Sequence, residues 1–93
     1  MDRQFLMGNK RIACAIKSAM GQYANQTVAV RLKLARLHAI SMLKEAGIVD
    51  HVFELKLRKR KVNEVEVSFI GERETPYHNS ESEKINISGI CLV

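Results

Sequence analysis

The chain has 93 residues, which is enough for one small domain with a modest core. Its net charge of +5 favours a polyanionic partner, nucleic acid or an anionic membrane surface. No apolar run approaches the roughly 18 residues that span a bilayer, and the start of the chain has no signal-peptide pattern. Of the two polyanions we predict nucleic acid, and no membrane partner. The two cysteines are far apart, which predicts reduced thiols and not a disulfide framework.

The first predicted element is a helix from Lys10 to Met20, after a loosely held lead-in over residues 1–8. Asn9 suits its N-cap and Gly21 its left-handed exit. Apolar residues recur every four positions and are flanked by alanines, which indicates close packing on one side of this helix. We expect Cys14 to be a small buried hydrophobe.

The next segment, Thr27 to Leu32, alternates between apolar residues and Ala29 or Arg31, which predicts a short strand. A second helix is predicted from Lys33 to Ala46, with a broad apolar face and a polar face, and Gly47 supplies its left-handed exit.

Two alternating segments then predict an antiparallel hairpin. Its apolar positions are Phe53, Leu55 and Leu57 in the first strand and Val65, Val67 and Phe69 in the second. Lys59, Arg60 and Lys61 are expected at the tip, and on the outer face Glu64 and Glu66 are expected to pair with Lys56 and Arg58.

The composition becomes polar and net negative after the hairpin. Residues 72–84, which hold Pro76, are predicted to form an exposed loop, and residues 85–93 a C-terminal strand or tail. The resulting expectation is an α+β domain over residues 1–71, with a small three-stranded sheet packed on two helices and a possible extra C-terminal strand.

No catalytic, metal or cofactor site is predicted. The chain has none of the common nucleotide-binding, nucleophile-elbow or zinc-protease motifs. His38, His51 and His78 are not at metal-ligand spacing with one another or with a cysteine. His38 and Glu45 share a helix face, but such a pair is more often an ordinary polar surface than an acid–base device. We therefore expect no enzymatic activity and no small-molecule substrate.

The remaining signal is the distribution of cations. A strand and its tip carry five cations within six residues, which can displace counterions from a phosphate backbone. Because few aromatic residues accompany them, contact through phosphates fits better than base stacking. The candidate RNA-binding residues are Lys10, Arg11, Lys17, Arg31, Lys33, Lys56, Arg58, Lys59, Arg60 and Lys61.

Four segments resemble the N-terminal domain of the small-subunit ribosomal protein eight family. IACAIKSAMGQ (12–22) is similar to its first helix, AVRL (29–32) leads into its second helix, MLKEAGIVDHV (42–52) resembles its helix exit, and EVEVSFIGE (64–72) its third strand. The resemblance covers roughly residues 10–72 and is carried by the order helix, strand, helix, hairpin. Residues 90–93, ICLV, are similar to the family's C-terminal strand, whereas the Ser-Thr-Ser-x-Gly loop of its second domain does not occur in this chain.

This resemblance implies a shortened, non-enzymatic constituent of a ribosomal small subunit that contacts small-subunit rRNA and neighbouring ribosomal proteins in translation, first of all in a mitochondrial ribosome. It implies that Lys10, Arg11 and Lys17 lie near rRNA. The alternative is a small basic protein-interaction or regulatory module that docks an acidic partner.

Overall fold

The computed structural model describes residues 9–74 and 81–93. Two helices, α1 (Lys10–Gln22) and α2 (Val28–Glu45), precede three strands, β1 (His51–Lys61), β2 (Glu64–Glu74) and β3 (Ser82–Leu92). The strands form one antiparallel sheet in the order β1-β2-β3. One face of the sheet packs against both helices, so the predicted α+β class is confirmed. The sheet has the predicted three strands on two helices, but its third strand is the C-terminal β3 and not the predicted strand at residues 27–32.

Helix α1 begins as predicted and ends two residues later. The Asn9 side chain accepts a hydrogen bond from the Ile12 amide at 3.4 Å, which caps the first turn. Ile12, Ile16 and Ala19 are fully buried, so the four-residue stripe is the packing face. Gly21 lies inside the last turn and is not a left-handed exit, because Tyr23 forms the C-cap.

The predicted strand at Thr27 to Leu32 is wrong, because residues 28–45 form one continuous helix. Thr27 is the N-cap residue of α2. The apolar alternation covers only a few residues. Leu32 also belongs to a helical stripe that continues through Ala35 and Ala39 to Leu43 in steps of three or four residues. Packing of that stripe on α1 and the sheet decides the conformation over the β-propensity of the valines.

The exit from α2 is a Schellman motif. Gly47 has φ +72°, its amide donates to the Lys44 carbonyl at 3.1 Å, and the Ile48 amide donates to the Leu43 carbonyl at 3.0 Å. Ile48 packs against the core cluster that contains Leu43, as this motif requires. The predicted left-handed role of Gly47 is confirmed.

The hairpin of β1 and β2 is confirmed, with one error on its apolar face. Val65, Val67 and Phe69 are buried together with Leu55, but Phe53 is 64% exposed. The register slips between Val52 and Glu54, so Phe53 is the additional residue of a bulge and faces away from the core.

Both ends of the segment predicted as a polar loop, residues 72–84, belong to strands. Strand β2 continues to Glu74, and β3 begins at Ser82, three residues before the predicted strand. The β2–β3 register is continuous from Glu74 opposite Ser82 to Glu64 opposite Leu92. The predictions for the lead-in 1–8 and for the loop around Pro76 lie outside the described residues.

The two thiols differ in their surroundings. Cys91 is buried, and its Sγ lies 3.7 Å from the Ala13 carbonyl oxygen, where β3 approaches α1. Cys14 is exposed, so its predicted burial is wrong. It stands two residues after Ile12 and two before Ile16, which places it on the other side of α1 from the packing stripe.

Candidate nucleic-acid interface

The predicted tip cations belong to the end of strand β1 and not to the turn. The turn itself is Val62 and Asn63, and β1 extends through Lys61. Because side chains alternate between the faces of a strand, the cations divide over the two sides of the sheet. Lys59 lies opposite Val65 on the helix side, whereas Arg58 lies opposite Glu66 on the outer side.

A register irregularity between Lys59 and Lys61 makes Arg60 the additional residue of a second bulge. Its Nε lies 4.0 Å from Oε1 of Glu64, a carboxylate that is only 7% exposed. On the outer face the Lys56 Nζ lies 3.5 Å from Oε1 of Glu54 in the same strand. The expected pairing of Glu64 with Lys56 or Arg58 is therefore wrong. The acidic groups of this face still offset part of its positive charge.

Arg31 is fixed in position by a contact between the two helices. Its Nε–H donates to the Met20 carbonyl oxygen at 2.7 Å, in the last turn of α1. A guanidinium has five N–H donors, so this bond orients the group and leaves its other N–H groups for a further acceptor.

A small cleft joins the start of α2, the end of α1 and the end of β1. Its volume is about 30 Å³. Three cations, Arg31, Lys59 and Lys61, line it together with apolar side chains, and no Asp or Glu is among its lining residues in the described ranges. The apolar lining consists of Met20, Val28, Leu32, Val62, Val65 and Val93.

The other candidate cations lie elsewhere. Lys10 and Lys33 are exposed on their helices, away from this cleft. Arg11 lines a shallow groove between α1 and the end of α2, beside Cys14 and Met42. Lys17 lies near β3: burial raises the pKa of the Cys91 thiol, and the Lys17 ammonium offsets part of that rise.

The structure thus brings together three of the ten predicted residues and distributes the rest over both sheet faces and the two helices. The apolar residues of the cleft were not predicted as part of a site. Residues 27–32 were predicted as a strand, so the packing of the start of α2 beside the hairpin was not expected. Arg36 was also missed. Its Nε–H donates to the Leu55 carbonyl oxygen at 2.8 Å and fastens α2 to β1.

The histidine and carboxylate predicted to share a helix face do not form a pair. His38 makes an edge-to-face contact with Tyr23, with ring centroids 5.9 Å apart, while Glu45 accepts a hydrogen bond from Ser41 at 3.3 Å. Among residues 9–74 and 81–93, no group of three or more His, Cys, Asp or Glu side chains is arranged to hold a metal ion. No helix in those ranges is long and apolar enough to cross a membrane.

Comparisons with models of known protein families, with curated proteins and with solved structures found no match to this chain.

Proposed function

We propose that this protein is a non-enzymatic structural constituent of a ribosomal small subunit, where it binds rRNA through backbone phosphates and also contacts neighbouring ribosomal proteins. The observation that carries the proposal is the meeting of Arg31 with Lys59 and Lys61 at one cleft that has no Asp or Glu among its described lining residues. A mitochondrial ribosome is the first place to look for it.

The electrostatics favour a polyanion over a single small acid. Arg58, Lys59, Arg60 and Lys61 are consecutive and exposed, and only Arg60 has a carboxylate within 4.0 Å among the described ion pairs. Cations on a paired strand are held at fixed spacing, so several phosphates can be neutralised without ordering a flexible loop first. None of the described residues that line the cleft is aromatic, so stacked bases are not the expected contact.

The resemblance in sequence supports the ribosomal assignment through two segments whose structural roles are clear. In LKEAGIV (43–49), Gly47 and the apolar residues Leu43 and Ile48 form the Schellman exit of α2. In EVEVSFIGE (64–72) the buried valines and Phe69 form the centre of the core. The strand that the family resemblance implied between the two helices is not present in the described residues, so the proposal rests on these two segments and on the charge.

The test is the salt dependence of binding to a structured rRNA fragment from the small subunit. We expect log K to fall linearly with log salt, and each phosphate contact that is removed should lower the slope by about 0.9. The Lys59→Ala, Arg60→Ala, Lys61→Ala triple variant should therefore bind more weakly and with a smaller slope. A flat salt response, or binding to an acidic protein with no binding to RNA, would refute the proposal and favour the protein-docking alternative.

A further inference from the structure

We propose that the cleft lined by Arg31, Lys59 and Lys61 is a seat for a single phosphate group. Its identification as an RNA backbone phosphodiester rests on the proposed function; the same chemistry also fits a free phosphate. Three of the ten candidate RNA-binding residues would then form one defined phosphate-binding site.

Arg31 comes from α2 and the two lysines come from the end of β1, two segments that are distant in sequence. Arg31 is tied to the Met20 carbonyl oxygen at 2.7 Å. Lys59 lies opposite Val65, a core residue that is 1% exposed, so the backbone under its side chain is fixed by the sheet. Lys61 is the last residue of β1 and lies opposite Glu64. The fixed Arg31 guanidinium and the paired backbone under the two lysines reduce the entropy cost of binding an anion.

The size of the cleft limits what can enter. A volume of about 30 Å³ admits one or two oxygen-sized groups, far less than the several hundred cubic ångströms of a nucleotide pocket. One phosphate oxygen can enter the cleft while the remaining oxygens meet the cations at its mouth. A base or a ribose cannot be enclosed.

The apolar floor strengthens this arrangement. Lys59 and Lys61 line the cleft together with valines and a methionine, and a lysine on such a surface packs its stem on the apolar side chains while its ammonium group stays in water. An anion that approaches over an apolar surface is screened less than one in bulk water, so three cations act on it together. Glu64, the nearest carboxylate along the strands, lies 4.0 Å from the Arg60 Nε and is not a lining residue.

Phosphate suits the site better than a carboxylate. The guanidinium of Arg31 can donate two parallel hydrogen bonds to one oxyanion, and each ammonium adds a point charge from the β1 side. Free phosphate has four oxygens that can meet all three cations at once. A backbone phosphodiester has two charged oxygens, as a carboxylate has, and its tetrahedral shape directs them to different cations.

The first experiment titrates the full chain with inorganic phosphate and follows backbone amide resonances, with chloride at matched ionic strength as the reference. We expect saturable shifts at Leu32, Val62 and Val65. Lys59→Gln and Lys61→Gln should each weaken phosphate about tenfold, as expected for loss of one charge-assisted contact. Lys84→Gln, at an exposed lysine of β3 that is neither a candidate RNA-binding residue nor a lining residue of the cleft, is the matched control and should leave the affinity unchanged. Arg31→Gln is not used, because it also removes a bond between the helices.

The second experiment measures binding of a structured rRNA fragment by the same variants. Loss of RNA affinity by Lys59→Gln and Lys61→Gln but not by Lys84→Gln supports the cleft as an RNA phosphate site. If RNA binds and the three variants weaken it equally, the cleft proposal is overturned and the proposed function stands. If phosphate saturates the cleft but RNA does not bind, the proposed function fails and free phosphate is the ligand. Shifts that do not saturate, or that spread equally over both sheet faces, also overturn the cleft proposal.

Discussion

The Gly71→Ala substitution would place one methyl group between strand β2 and the ring of Phe69. A Cβ at Gly71 would lie 2.8 Å from Cε1 and 2.9 Å from Cζ of Phe69, and 3.0 Å from the His51 carbonyl oxygen. The ring is fully buried and the carbonyl belongs to the paired strand β1, so neither neighbour can move away without disturbing the core.

The magnitude follows from two opposing terms. Inserting a methyl group into a well-packed core costs about 1–3 kcal/mol. Replacing glycine by alanine reduces the entropy of the unfolded chain, which offsets about 0.4–1 kcal/mol. The free energy of unfolding should therefore fall by about 1–2 kcal/mol, and Tm by several degrees, since about 4–8 °C corresponds to 1 kcal/mol in a domain of this size.

The assay is urea unfolding followed by circular dichroism, with Gly21→Ala as the control. Gly21 lies inside α1 and has nothing within 4 Å of its Cβ position. Its replacement should therefore stabilise the helix by up to about 1 kcal/mol. The two substitutions make the same chemical change with opposite expected signs. If Gly71→Ala is as stable as the wild type or more stable, the close packing of β2 on Phe69 is refuted.

Two further predictions concern the helix exit and the thiols. Gly47→Ala should lower the free energy of unfolding by about 1–2 kcal/mol, because φ +72° is strained for alanine. Gly47→Asn should lower it less, since asparagine tolerates this conformation better. Equal urea midpoints for the wild type and both variants would contradict the Schellman exit. A thiol reagent should modify Cys14 in the folded protein and Cys91 only after unfolding. Burial raises the pKa of Cys91, so the folded state keeps a proton that the unfolded state releases above the ordinary thiol pKa of 9.0. Stability should therefore fall as the pH rises through that range, more steeply than in Cys91→Ala; identical pH profiles would contradict this assignment.

Much of the fold follows from local patterns. The capping by Asn9, the left-handed Gly47 and the alternation of β2 each depend on neighbours within a few residues, so the sequence is sufficient to predict them. The start of α2 was missed because Val28 and Val30, both more than 40% exposed, imitate strand alternation. The pattern that decides the conformation extends over more residues, because Leu32 continues a helical stripe that reaches Leu43.

The candidate site was harder to predict because it is formed by tertiary contacts. The run of cations at residues 56–61 was visible in the sequence, but the bulge before Lys61 determines which of them face the helices. Arg31 was proposed on a strand and lies on a helix, where its bond to Met20 brings it to the cleft. The composition of that cleft depends on how α2 packs on the hairpin, and no local pattern specifies that packing.

The central claim is membership of a ribosomal small subunit, and sedimentation tests it most directly. Extract from mitochondria and from cytoplasm is separated on a sucrose gradient, and the protein is followed by mass spectrometry of each fraction. The account predicts that the protein sediments with small subunits in one of these extracts and is released by high salt, because its contacts are to phosphates. A protein found only near the top of both gradients, as a free small protein, would contradict the account.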